Sequence, residues 1–175
     1  VVVSGANTNI PIRIEGGGYQ MKETTTPTAT ADYGQVYTKT DNLLYFQDGA
    51  GVERKVTEEV ICLSCSDETT NLTTGNAKVT FHMPFAMTLT SVKATCTTAP
   101  AGSTIIVDIN EAGSTILSTR LSIDASEKTS SSADTPAVIS DASLANDALM
   151  TIDIDQIGSG TAGTGLKVWL TGYRA

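Results

Sequence analysis

The chain has 175 residues, of which 17% are charged, and its net charge at pH 7 is −8. This length suits one ordinary domain plus a short additional segment, and it allows a hydrophobic core to form without disulfide bonds. The acidic balance without a basic patch disfavours nucleic-acid phosphate and anionic lipid as partners, and no apolar run reaches the length of a membrane span. We therefore expect a protein that binds neither nucleic acid nor membrane.

Residues 1–30 are predicted to form an extended docking arm. A short alternating stretch places Ile10, Ile12 and Ile14 on one side, and three glycines and a Thr- and Pro-rich tether follow it. A single strand with one apolar face is not stable alone in water, so the arm should lie against the later domain or a neighbouring subunit. The chain begins at Val1, which leaves open whether its start was processed or whether it belongs to something longer.

Residues 31–58 are predicted to form a small β-meander. Three short alternating segments are separated by turns rich in Asp, Asn and Gly. The segments carry the aromatic residues Tyr37, Tyr45 and Phe46. A three-stranded unit of this size is too small to fold alone, so we expect it to pack onto something else.

Residues 59–175 are predicted to form an antiparallel β-sandwich, because short alternating strands are broken by polar turns every 8–12 residues. About eight strands suit a jelly-roll-like arrangement.

Several local features of these strands can also be predicted. The segment 60–63 is apolar on both faces, which predicts a covered strand. A hairpin should turn at residues 110–113. The apolar phase changes at Thr90 and Ser91, which predicts a bulge or a strand that changes sheets. Two inward stripes are expected, formed by Met150, Ile152 and Ile154 and by Leu166, Val168 and Leu170.

Candidate sites for chemistry are weak, and we predict no catalytic residue, no cofactor site and no metal site. The Gly-x-Gly-x-x-Gly run at 158–163 precedes a strand rather than a helix, so a hairpin loop is favoured over a dinucleotide site. Asp153 and Asp155 are favoured as a solvated strand face over a calcium loop, and with Asp108 they form no marked acid pair for glycoside cleavage.

Cys62, Cys65, Cys96 and His82 supply the four ligands that a structural zinc site needs. However, only Cys62 and Cys65 are closely spaced in the sequence, and His82 and Cys96 do not form the second closely spaced pair that is typical of such sites. We favour buried thiols that act as small apolar side chains, since an odd number of cysteines fits a disulfide framework poorly. Trp169 alternates with Val168 and Leu170, so it should point outward. A contact with a neighbouring subunit is favoured there over stacking on a sugar.

Two parts of the sequence resemble proteins of tailed bacteriophages. The pattern Gly-Gln-Val-Tyr…Asp-Asn-Leu-Leu-Tyr-Phe…Asp-Gly…Gly at residues 34–51 resembles a hairpin of phage fibre and virion appendage proteins. The later half resembles a C-terminal β-sandwich of phage structural proteins through the segments 81–85, 100–103, 108–110, 114–119 and 153–158. The resemblance spans about residues 31–175 and brings no active-site residue with it.

This resemblance implies a virion structural protein, a homotrimeric fibre or appendage subunit rather than an enzyme. Its arm would dock to other virion proteins through Ile10, Ile12 and Ile14, and the three meander aromatics would support the trimer. The alternative is a carbohydrate-binding adhesin. In that case Trp169 and the loops 97–103, 124–136 and 158–165 would contact host surface glycans.

Overall fold

A computed structural model describes residues 20–56 and 58–175, so the predicted docking residues Ile10, Ile12 and Ile14 lie outside the described part. The chain divides into two compact units, residues 1–56 and 57–175. Both units are built from antiparallel strands, and the one helical element in the described ranges is a single 3-10 turn, Ser130–Ser132. The all-β prediction is confirmed. Within residues 20–56 and 58–175, no helix has the length and apolar character that crossing a membrane requires.

The first unit contains an antiparallel sheet of three strands in the order β1-β2-β3. The strands are β1 (Gln35–Thr38), β2 (Leu44–Gln47) and β3 (Glu53–Lys55). Asp side chains close both turns, because Asp41 accepts a hydrogen bond from the Leu43 backbone N–H and Asp48 accepts one from the Val52 backbone N–H. These bonds explain why the Asp-containing segments turn the chain at these two points.

The two faces of this sheet differ in exposure. Tyr37, Tyr45 and Gln47 are buried on one face, whereas Val36 and Phe46 are exposed on the other. The extended segment before β1 contacts the buried face, where Thr26 donates a hydrogen bond to Glu53 and the Gln35 amide donates to the Thr28 carbonyl. The unit is therefore covered on one face by its own chain.

The second unit is built from two main sheets. The front sheet has the order β10-β7-β13-β5, with β8 beside β7, and the back sheet has the order β12-β6-β14-β4. A further short pair joins β11 to β9. The strands are β4 (Glu58–Ser64), β5 (Gly75–His82), β6 (Met87–Thr95), β7 (Ile105–Glu111), β8 (Ser114–Thr115), β9 (Leu117–Thr119), β10 (Leu121–Ile123), β11 (Val138–Ile139), β12 (Ser143–Leu144), β13 (Leu149–Gln156) and β14 (Lys167–Arg174).

The eight strands of the two sheets, leaving out β8, follow a regular order. Counted from 1 to 8 along the chain, they run 1-8-3-6 in the back sheet and 2-7-4-5 in the front sheet. The chain therefore passes from one sheet to the other at every connection except the one between β7 and β10. Hydrophobic side chains from both sheets form a single core cluster, as expected for a sandwich.

The predicted inward stripes are confirmed. The side chains of Met150, Ile152 and Ile154 on β13, and those of Leu166, Val168 and Leu170 at and along β14, are at most 1% exposed. Burial of one such aliphatic side chain contributes about 1.5–3 kcal/mol, so these two strands anchor the core.

The predicted phase change in β6 is also confirmed, as a bulge. Leu170 and Thr171 of β14 pair with Val92 and Ser91, but the next residue, Gly172, pairs with Leu89, so Thr90 is left over. The extra residue allows both Leu89 and Ala94 to face the core.

One local prediction is wrong. Strand β4 is not covered on both faces, because Val60 and Cys62 are exposed on an edge strand that pairs only with β14.

The predicted hairpin after β7 is confirmed. The chain turns at Ala112 and its neighbouring glycine, both at positive φ, and β8 and β10 pair with β7 on the way back. The return leg is interrupted between these two strands, because Thr115 caps the backbone at Leu117 and the chain pairs with β11 before it rejoins β7.

Candidate binding groove

The outer face of the front sheet carries an unusual set of polar residues. Asp108 and Asn110 alternate with core residues along β7, and Asp153 and Asp155 do the same along the neighbouring strand β13. Asp108 lies directly opposite Asp153 in the strand register. Antiparallel pairing therefore brings together carboxylates that are more than 40 residues apart in the sequence.

Asp108 is buried and fully hydrogen-bonded. Its side chain is 5% exposed. Its Oδ1 atom accepts hydrogen bonds from the Ile109 backbone N–H at 2.9 Å and from the Thr115 hydroxyl at 2.5 Å. Its Oδ2 atom accepts from Arg120 Nε at 3.0 Å. A buried carboxylate is costly unless it is paired in this way, and the interrupted return leg after β7 supplies two of the three partners, Thr115 and Arg120.

Arg120 joins two carboxylates. Its Nε atom lies 3.0 Å from Asp155 Oδ2 as well as 3.0 Å from Asp108 Oδ2. Burial raises the pKa of the Asp155 carboxyl, Arg120 opposes that rise, and the charges of Asp108 and Asp153 add to it. The hydrogen bond to Asp108 raises the pKa of Arg120 in turn. The guanidinium is thus held in place from one side, while about half of its side chain stays exposed.

Beside this cluster lies an open groove of about 790 Å³. Six hydroxyl side chains line it: Thr104, Thr115, Ser118, Thr119, Ser122 and Thr135. Arg120, Asp124 and Gln156 add charged and amide groups, and the half-buried Ile106 adds a small aliphatic surface above the buried Leu117. The groove therefore offers hydrogen-bond donors and acceptors around a small apolar patch.

Several lining groups are already fixed in position. The Gln156 amide nitrogen donates to the Thr104 carbonyl at 2.7 Å, and Asp124 accepts from the Thr104 hydroxyl at 3.3 Å and from the Asp134 backbone N–H at 2.8 Å. Groups that are held before a ligand arrives lose less conformational entropy when it binds. The groove is in this sense pre-organised.

The predicted aromatic residues of the meander occupy two different environments. Tyr37 and Tyr45 stack on each other with ring centroids 5.9 Å apart, and their hydroxyls donate to Glu53 and Asp41 within the same unit. The bond to Asp41 and burial together raise the pKa of Tyr45 to about 12. Phe46 lies on the opposite, exposed face. A contact of any of the three aromatics with a partner subunit stays a prediction.

Trp169 lies on the outer face of the back sheet, as its alternation predicts. It is half-buried in β14 between Cys62 of β4 and Lys93 of β6, and its indole N–H points to the Thr95 hydroxyl at 3.4 Å. The groove lies on the front sheet and Trp169 on the back sheet, so the fold does not bring them together in one ligand site.

The three cysteines are free thiols. Cys65 and Cys96 are buried, as predicted, whereas Cys62 is exposed because it lies on the outer face of the edge strand. Burial raises the pKa of the Cys65 thiol to about 11. His82 lies beside Asp147, with Nδ1 3.1 Å from its carboxylate. Across residues 20–56 and 58–175, no group of three or more His, Cys, Asp or Glu side chains is placed to hold a metal ion.

The sequence analysis missed the groove and its arginine. Arg120 was not predicted, although it is the only arginine between Arg54 and Arg174 and lies 12 residues after Asp108, an aspartate in an apolar strand. That combination of a lone arginine with an aspartate in an apolar strand is a signal that could have drawn attention to the pair. The position of the groove itself depends on the irregular path between β8 and β10.

Comparisons with protein-family models, with curated proteins and with solved structures find no match to this chain. The resemblance to phage virion proteins therefore stays a prediction.

Proposed function

We propose that this chain is a structural subunit of a tailed-bacteriophage virion, a fibre or appendage protein that acts by assembling with further copies of itself. The exposed apolar face of the meander carries the proposal. It adds to the resemblance of the meander hairpin and the sandwich to phage proteins. Docking to other virion proteins would fall to the segment that contains Ile10, Ile12 and Ile14.

Four large apolar side chains share the exposed face of the meander. The exposed fractions are 56% for Val36, 36% for Phe46, 49% for Val52 and 53% for Val56. Val36 and Phe46 are directly paired, and the two valines flank or extend β3 on the same side by alternation. Single exposed apolar residues are normal, but several on one face of so small a sheet are typical of an interaction surface.

A second copy of the chain fits this face better than a charged partner. The arginine on the same face, Arg54, is already paired with Asp48 of its own chain at 3.1 Å. Two such faces can therefore meet without placing unpaired like charges opposite each other. Homo-oligomers are the most frequent soluble assemblies, and the phage resemblance implies a homotrimer.

The strand order of the second unit supports the same proposal at the level of fold. Two sheets ordered 1-8-3-6 and 2-7-4-5 correspond to a jelly roll of two Greek keys, an architecture that occurs in viral capsid and lectin domains. We therefore infer that the sandwich is a jelly roll. This is a likeness of fold, so it supports a virion role only together with the meander face.

The test is the mass of the native protein, measured by light scattering after size exclusion. We expect an oligomer, with a trimer as the specific expectation. Val36→Ser and Phe46→Ser should weaken the association by about 0.5–1.5 kcal/mol per copy, which is the share of a full side-chain burial that these residues still have to gain.

Val138→Ser is the matched control, because Val138 is similarly exposed at 50% but lies in the sandwich. It should leave the mass unchanged. A monomeric wild-type protein, or an oligomer that Val138→Ser disrupts as strongly as Val36→Ser does, would refute the proposal.

A further inference from the structure

We propose that the groove on the front sheet is a binding site for an uncharged glycan. The site lies on the opposite sheet from Trp169, and it includes Asp124 and Thr135 of the loop 124–136. It does not depend on the meander face. The proposal can therefore fail while the assembly proposal holds, and the reverse is also true.

The lining matches the surface of a sugar. A sugar presents many hydroxyls, which both donate and accept hydrogen bonds, and weakly polar C–H patches on its ring faces. The groove supplies the guanidinium of Arg120 and six hydroxyls for the first, and the half-buried side chain of Ile106 for the second. Four of the hydroxyls already donate within the chain and keep their acceptor capacity: Thr104, Thr115, Ser118 and Ser122. Its volume of about 790 Å³ lies in the range of small-molecule sites.

The charges decide which glycan class fits. Asp108, Asp155 and Asp124 lie in or beside the groove, and Arg120 is the cation among these groups. Arg120 is already shared by the first two carboxylates, each 3.0 Å from its Nε atom. An acidic sugar would therefore meet excess negative charge, while a neutral sugar can use both the remaining guanidinium N–H groups and the carboxylate oxygens.

Arg120 is held in position by two carboxylates. Its two carboxylate partners come from adjacent strands, so the guanidinium is held from β7 and β13 together. An arginine fixed in this way loses little side-chain entropy when it donates to a ligand. This is the property that a glycan site without a large conformational change requires.

The experiment uses the full chain on a printed array that carries both neutral and acidic glycans, followed by calorimetry with the neutral oligosaccharide that binds best. We expect binding to neutral glycans and none to sialylated or uronic-acid glycans. Ser118→Trp, at the exposed rim, fills the groove and should weaken binding at least tenfold. Arg120→Lys keeps the positive charge but loses the planar set of guanidinium N–H donors, so it should weaken binding several-fold.

Ser91→Trp is the matched control, since Ser91 is an exposed serine in β6 on the back sheet. It should bind as the wild type does. The proposal is overturned if the wild-type protein binds no neutral glycan, if it prefers acidic glycans, or if Ser118→Trp binds normally. Loss of binding in Trp169→Ala together with normal binding in Ser118→Trp would place the site on the back sheet instead. Unchanged oligomeric mass and melting temperature in each variant separate these outcomes from misassembly or unfolding.

Discussion

Deletion of Thr88 should destabilise the sandwich more than deletion of Thr90, although both are threonines of β6. Thr90 is the extra residue of the bulge, so without it Leu89 and Ser91 become neighbours and still pair with Gly172 and Thr171, and no side chain changes face. Thr88 separates Met87 and Leu89, which both face the core at no more than 4% exposure. Without Thr88, either Met87 turns outward, or the bulge is taken up and Leu89 turns outward. Each outcome removes one large apolar side chain from the core, which costs about 1.5–3 kcal/mol.

Urea unfolding followed by circular dichroism measures this cost. Domains of this kind have stabilities of about 5–15 kcal/mol and urea slopes of about 1–3 kcal/mol per molar, so the midpoint of the Thr88 deletion variant should fall by at least about 0.5 M. Deletion of Thr90 is the control, because it removes only an exposed hydrogen bond from the Thr90 hydroxyl to the Thr171 carbonyl, worth about 0.5–1 kcal/mol. If deletion of Thr90 lowers the midpoint as much as deletion of Thr88 does, the bulge does not set the phase of β6 and the reasoning is wrong.

Three further predictions address the core, the thiols and the meander. Leu170→Ala, at a fully buried site in β14, should lower the free energy of unfolding by about 2–5 kcal/mol, whereas Val60→Ala on the exposed face of β4 should lower it by less than about 0.5 kcal/mol; urea unfolding compares them. A thiol reagent at pH 8 should modify Cys62 rapidly and the two buried cysteines only after denaturation, and rapid reaction of all three would contradict their burial. In an ultraviolet pH titration, Tyr45 should ionise near pH 12 in the folded protein, and Asp41→Asn should lower that value. The folded pKa of Tyr45 lies above the ordinary value of 10, so the stabilisation of the fold by this neutral phenol is complete below pH 10 and is lost as the pH rises to 12. An unchanged titration in Asp41→Asn would show that Asp41 does not cause the raised pKa of Tyr45.

Much of the fold could be predicted because alternation is a local property of the sequence. The stripe through Ile152 and the phase change at Thr90 follow from residues within a few positions of each other, and both are confirmed. The exposure of Val60 could not be predicted in this way, since it depends on β4 lying at the edge of its sheet. A strand that is apolar on both faces is compatible with a central or an edge position, and strand order is not a local property.

The groove could not be predicted from the sequence for a related reason. Asp108 and Asp153 become neighbours only through the register of β7 and β13, and Arg120 reaches them only because the chain leaves the hairpin at Thr115. Alternation predicts which side of the sheet a residue faces, but it does not predict which other residues lie beside it. The polar outer face could therefore be predicted, whereas the arrangement of charges on it could not.

The pairing of β4 with β14 has a mechanical consequence. Glu58, where the sandwich starts, lies opposite Tyr173, close to where it finishes, and the two strands stay paired in antiparallel register as far as Ser64 and Lys167. Opposite forces pulling on these two sites would break the strand-to-strand bonds one after another, beginning at that corner, rather than loading all of them at once. The sandwich should therefore yield at a lower force when it is pulled at its two ends than when the load is spread across several strands.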